Sequence, residues 1–203
     1  MNDAPSTRDR LLTAAEREMA IHGIEGADLK RIQAIAGSRN RSSVNYYFGD
    51  RDGLVAAIGE KHRAPIDADR ATILDRLEAD GAIDLPELVR ALVLPPAARL
   101  DDQSSRDYLV ILAEATARHG AEFVFEARDI PHMAANRRLH RHLFTLLTGS
   151  PKDKRLRIGQ AVLVATALLA DLARAIEAGP MSTAQRARRV DGICRVTAAA
   201  LRA

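Results

Sequence analysis

Aromatic side chains make up only 3% of this 203-residue chain, and cysteine occurs once, at Cys194. With so few rings, the interior has to be built from Leu, Ile, Val and Ala, and Ala and Leu are strong helix formers. A single cysteine excludes an intrachain disulfide and suits a reducing compartment. Gly and Pro, 12 and 8 residues, are too few for a disordered or collagen-like chain. The longest apolar stretch, Ala161 to Ala170, falls well short of the roughly 20 residues that cross a bilayer. The N-terminus is charged and has no apolar core of a signal peptide. These absences point to a cytoplasmic protein with no membrane partner. Enzyme signatures are missing too: there is no nucleophile elbow, no dinucleotide or phosphate-cradling glycine loop, and no catalytic cysteine context. No enzyme activity, cofactor or metal is therefore expected.

What is present is helical periodicity. Ser6 and Asp9 form a capping box, Leu11, Leu12, Ala15 and Met19 repeat at three- and four-residue spacing, and Gly23 stops the helix, which predicts residues 7–22. Asp28 caps a second helix with a buried stripe of Leu29, Ile32, Ile35 and Ala36, and Gly37 turns the chain. Asn40 is the expected cap of a third helix that keeps Val44 and Phe48 inward and turns Arg41, Ser42, Ser43 and Asn45 outward. Gly49 and Asp50 restart the chain into a fourth helix with Leu54, Ala57 and Ile58 inward. Beyond Lys61, breakers separate longer amphipathic segments near 51–79 (kinked or interrupted at Pro65), 85–99, 104–119, 131–148, 153–178 and 182–202. No strand alternation survives. The fold expected is all-α, with a helix-turn-helix domain at 1–50 and a larger helical domain at 51–203.

Charge is concentrated in the same place. The net charge of +3 identifies nothing, but from residue 29 to residue 51 Lys30, Arg31, Arg39, Arg41 and Arg51 face Asp50 alone, a local +4. Over residues 1–63, ten cations meet nine anions, so the unit is basic on one face only. Taken individually, Lys30 and Arg31 read equally as solvated surface or as phosphate contacts, and Arg8 and Arg10 read as solvated surface rather than as contacts to the DNA backbone.

Three blocks, Thr7-Arg-Asp-Arg-Leu-Leu, Leu29-Lys-Arg-Ile-Gln-Ala-Ile-Ala-Gly and Asn45-Tyr-Tyr-Phe-Gly-Asp-Arg-Asp-Gly-Leu, occur in order and near the expected spacing over about residues 7–60. Together they resemble the N-terminal domain of tetracycline-repressor-type (TetR family) transcription factors. The resemblance implies a helix-turn-helix headpiece, a divergent ligand-binding body and a homodimer built on the last two helices, about 153–178 and 182–202. Carried over by position, Arg41, Ser42, Ser43 and Asn45 correspond to base-facing residues, and Tyr46, Tyr47 and Arg51 to phosphate-gripping ones. Arg suits guanine, Asn suits adenine, and a phenol or guanidinium fixes register on the backbone. The chain departs from the commonest pattern in two places: one extra residue in the turn at Ser38-Arg39, and Ala27 where many members carry Thr. The partners implied are a double-stranded DNA operator and a small-molecule effector, and the protein would act as a repressor released by that effector. A helical ligand-binding or scaffold protein that does not read DNA is the alternative.

In the body, Tyr108, Leu112, Phe123, Phe125, Met133 and Phe144 are candidates to line an apolar effector pocket, with Glu114 or His119 as polar anchors; core packing explains them equally well. His119, His132, His140 and His142 raise a metal-sensor reading, but the i, i+2 spacing of His140 and His142 turns them to different sides of a helix. Cys194 lies on the apolar stripe of the last helix, where a buried structural thiol is the ordinary outcome.

Overall fold

The computed structural model describes residues 5–38, 40, 42–120 and 132–202. Among them, nine α-helices and no strands are found: α1 (Thr7–His22), α2 (Leu29–Ile35), α3 (Ser43–Phe48), α4 (Arg51–Ala79), α5 (Leu85–Ala97), α6 (Gln103–His119), α7 (Ala134–Leu146), α8 (Pro151–Ala178) and α9 (Thr183–Arg202). Helix starts are fixed by the side chains that satisfy their first amide groups. Asp9 N–H donates to Ser6 Oγ, Gly53 N–H to Asp50 Oδ1 and Ser105 N–H to Asp102 Oδ2, while Ser150 and Asp153 cap α8 reciprocally.

The three short helices pack Leu11, Ala15 and Met19 of α1 over Ile32, Val44, Leu54 and Ile58, all essentially inaccessible to solvent. Two local expectations change. On α2 the buried positions are Ile32, Gln33 and Ala36, whereas Ile35 is 59% exposed. Positions 29, 32, 33 and 36 follow the i, i+3, i+4, i+7 spacing of one helical face, and Ile35 falls beside it. Asn40 does not cap α3 directly: Asn40 Oδ1 accepts the Ser42 N–H at 2.9 Å, and Ser42 occupies the cap position without a side-chain bond of its own. Asn40 thus closes a turn just upstream.

Helix α4 runs uninterrupted through Pro65, where a kink or an interruption was expected. Its buried positions 54, 58, 62, 66, 70 and 74 recur every four residues. Each step of four overshoots a full turn by roughly 40°, so the buried face winds around the helix and meets different neighbours along its length. Leu54 and Ile58 complete the headpiece, and Leu74 and Leu77 belong to the body. The buried apolar residues from Leu11 to Leu201 form a single cluster.

Polar contacts lock headpiece to body at α6. Arg17 of α1 pairs with Asp107 at 3.0 Å and with Glu177 of α8 at 2.5 Å, and Arg118 pairs with Glu25 at 2.6 Å. Buried Glu16 of α1 accepts from Lys61 Nζ at 2.8 Å and from Ser104 Oγ at 2.5 Å, and lies 3.0 Å from His62 Nε2. Burial alone would raise the Glu16 pKa, but the hydrogen bonds from His62, Lys61 and Ser104 outweigh it and hold it below the ordinary value.

Candidate nucleic-acid interface and body cavity

Helix α3 follows α2 after a tight turn, the arrangement in which a second helix is offered to a DNA groove. Its end is set by glycine chemistry. Gly49 has φ +79°, a conformation side chains disfavour, and a Cβ on Gly53 would lie 1.9 Å from the Phe48 carbonyl oxygen. Only glycine at 53 lets α4 start so close to the end of α3.

Of the residues expected to meet DNA, Ser42, Asn45, Tyr46 and Tyr47 are exposed; Tyr46 is 78% accessible and packs edge-on against Tyr47 with ring centroids 4.9 Å apart. Arg41 and Arg39 lie outside the described residues. Two assignments need correction. Ser43 is 2% exposed, with its hydroxyl buried and unpartnered among the described residues; it sits beside Val44 on the inner face and is not turned outward. Arg51 directs its guanidinium inward, where Nη1 donates to the carbonyls of Ile24 and Ala27, the latter at 3.0 Å. It braces the connection between α1 and α2 from the first turn of α4. Arg10 is likewise engaged, donating to the Ala36 carbonyl at 3.0 Å, and Arg8 lies 5.3 Å over the Phe48 ring. Arg31 pairs with Glu18 at 3.2 Å. Lys30 remains on the surface.

Beneath the headpiece, a partly open cavity of about 1140 Å³ lies between α4, α5, α6, α7 and α8, with Arg8 of α1 and Tyr47 and Phe48 of α3 also on its lining. Tyr108, Leu112, His119 and Met133 line it, as the sequence suggested. Glu114 does not: it faces the headpiece, where both of its carboxylate oxygens accept the Ile24 N–H at 3.0 Å. Phe144 is elsewhere, beneath Lys154 Nζ at 5.1 Å, and Phe123 and Phe125 lie outside the described residues. Polar groups not anticipated from the sequence reach the cavity instead, among them Arg63, Arg70, Asn136, His140 and Thr166.

Arg70 is 6% exposed. Its Nε donates to the Ala91 carbonyl at 3.1 Å, and Asp67 lies 3.6 Å from Nη1. Burial lowers its pKa, opposed by Asp67, yet a guanidinium stays protonated. Asp67 is already occupied by the backbone N–H groups of Ala135 and Asn136, at 2.9 and 2.8 Å. Burial also raises the Tyr108 phenol and pushes His140 down to about 4, with Arg70 adding to the effect on His140. Tyr108 stacks on His62 with centroids 4.5 Å apart, so the cavity wall touches the buried Glu16 group directly.

His142 pairs with Glu78 at 2.6 Å, and among the described residues no three His, Cys, Asp or Glu side chains converge on a metal position. Cys194 is half-buried, and its thiol is raised by burial. No described helix is long and apolar enough to cross a membrane.

No family model matches the chain. Curated relatives do match. The chain is 26% identical over 133 residues to the HTH-type transcriptional repressor AcnR of Corynebacterium glutamicum, covering 65% of this chain and 61% of that protein. It is 36% identical over 97 residues to the HTH-type transcriptional repressor SCO4008 of Streptomyces coelicolor, covering 44% of this chain and 50% of that protein. These named helix-turn-helix relatives join the three headpiece blocks found in order. Over part of its length the chain is thus similar to helix-turn-helix transcriptional repressors. The alignments span about three-fifths and one-half of those two relatives. A solved TetR-family regulator, SCO0857 of S. coelicolor, aligns over the full length of both chains at 19% identity with a TM-score of 0.49.

Proposed function

We propose that this protein is a TetR-type, ligand-responsive DNA-binding regulator: a homodimeric repressor of a pseudo-palindromic operator, released by a small, largely apolar effector. One observation carries the reading. Helix α6 turns Leu112, Ala115 and Thr116 to the cavity, while the intervening Glu114 holds the Ile24 amide of the headpiece. A displacement of α6 by a bound molecule is thereby transmitted to α1 and to the spacing of the two recognition helices. The coupling required is modest, since about 1–3 kcal/mol already changes affinity roughly 5- to 150-fold. Asn45 reads bases, and Tyr46 and Tyr47 position α3 on the phosphates.

The test is an electrophoretic shift with the DNA flanking the protein's own gene. A salt-sensitive shift that Asn45→Ala alters at one base pair, and Tyr47→Phe weakens on every sequence, supports the reading. Absence of a shift with any flanking DNA would favour a helical binding protein that does not read DNA.

A further inference from the structure

We infer that the cavity takes an amphipathic carboxylic acid, its carboxylate held by Arg63 and its alkyl or aryl body laid along the apolar wall. This rests on the ligand-responsive reading above and supplies the effector's chemical class.

Arg63 is the group that calls for an anion. It lines the cavity, and among the described residues its Nε is buried without a hydrogen-bond partner and no ion pair includes it. Its position is built. A Cβ on Gly59, one turn earlier on α4, would lie 2.3 Å from Arg63 Nη1, so the guanidinium folds back over the space that glycine leaves. A cation left half-buried and unpaired is costly, and a carboxylate satisfies it with charge-assisted hydrogen bonds.

The remaining charge argues the same way. Deeper in, Arg70 is held against Asp67, whose oxygens are taken up by two backbone amides of α7. The cavity's own carboxylates, Asp52 and Glu60, are on exposed positions. A cationic ligand would thus meet the Arg63 and Arg70 guanidinium groups and, among the described residues, no inward-facing acid, and a neutral one would leave Arg63 unmatched. The body of the ligand is specified by Ile66, Leu92, Ile111, Leu112, Val162 and Leu169, which also line the cavity. About 1140 Å³ is ample for a carboxylate with a long apolar tail.

The experiment is calorimetric titration of the full chain with sodium decanoate, 1-decanol and decylamine, which share one tail and differ in head charge. Decanoate is expected to bind about tenfold or more tightly than either of the others, the factor appropriate to hydrogen bonds with a charged partner. Arg63→Gln should remove that preference and leave decanol unchanged; the side chain is half-exposed and has no ion pair among the described residues, so the fold should survive. Gly59→Ala displaces the guanidinium while favouring the helix, so it should weaken decanoate with no loss of melting temperature. Equal binding of the three probes, no binding of decanoate, or an unaltered preference in Arg63→Gln would overturn the assignment. Decanoate that binds through Arg63 yet leaves the operator shift unchanged would support the acid pocket and count against ligand-controlled DNA release.

Discussion

At the scale of single residues, position in the fold reassigns chemistry that residue type alone suggests. Arg51 looks like a phosphate contact, but its guanidinium satisfies the Ile24 and Ala27 carbonyls. Arg51→Ala should therefore cost about 1–3 kcal/mol of stability, the penalty for leaving buried acceptors unpaired. The salt dependence of DNA binding should keep its slope, because a lost phosphate contact would flatten it by about one unit. Chemical denaturation together with a salt titration separates the two roles. His140 makes a second prediction. Its folded pKa is depressed to about 4 from 6.5, chiefly by burial and then by Arg70. Between those values the unfolded chain takes up a proton that the folded chain refuses, so stability is full above pH 6.5 and falls as the pH drops toward 4. The loss at pH 5 should be about 2 kcal/mol, from 1.36 kcal/mol per unit. Urea midpoints at pH 7 and pH 5 measure it, and His140→Asn should shrink the difference; an unchanged pH slope in that variant would assign the loss to another group.

At the scale of elements, most helix bounds were legible because caps and breakers are local chemistry: Ser6 and Gly23 bracket α1 whatever the rest of the chain does. The long-range partners were not. Helix α4 shows why, since its buried positions 54, 58, 62, 66, 70 and 74 include His62 and Arg70, and an apolar-only search for a stripe loses the pattern at both. Polar residues on a four-residue repeat were the available signal, and they are the two that meet the Glu16 group and the cavity. Glu114 was a sound guess for a polar residue near the pocket, but whether a side chain on α6 faces the cavity or α1 depends on packing between distant segments. Its observed place makes α6 a lever between cavity and headpiece. Glu114→Ala should reduce the effect of a bound effector on DNA affinity by about 1 kcal/mol or more, within the usual range of allosteric coupling, while changing effector affinity less than twofold. Calorimetry paired with fluorescence anisotropy on labelled operator gives both quantities. A coupling energy equal to that of the unaltered protein would show that the α6–headpiece contact transmits nothing.

At the scale of the whole molecule, the question is what the last two helices do with their apolar residues. The stripes expected to pair with a second copy are largely consumed within the chain: Ala165, Leu169, Leu172 and Ala173 of α8, and Ile193, Thr197 and Leu201 of α9, are buried. The outward residues are different ones. Leu156 and Val196 are 51% and 50% exposed, on α8 and α9 respectively. Partly exposed Leu163 and Val164 lie about two turns along α8 from Leu156. Large aliphatics left in water on two adjacent long helices are what a four-helix interface between copies would cover. Full burial of each is worth about 1.5–3 kcal/mol relative to exposure, and a two-fold axis counts every residue twice. Leu156→Glu combined with Val196→Glu should therefore convert a dimer to a monomer in sedimentation at micromolar concentration. Because both residues are exposed within the protomer, its helical signal and melting cooperativity should persist. Operator affinity should fall far more than monomer stability, since two headpieces held at a fixed separation bind with an effective concentration that one headpiece lacks. A double variant that sediments as a dimer, or a monomer that holds the operator as tightly as before, would remove these helices from the assembly and the paired-headpiece geometry from the reading of DNA.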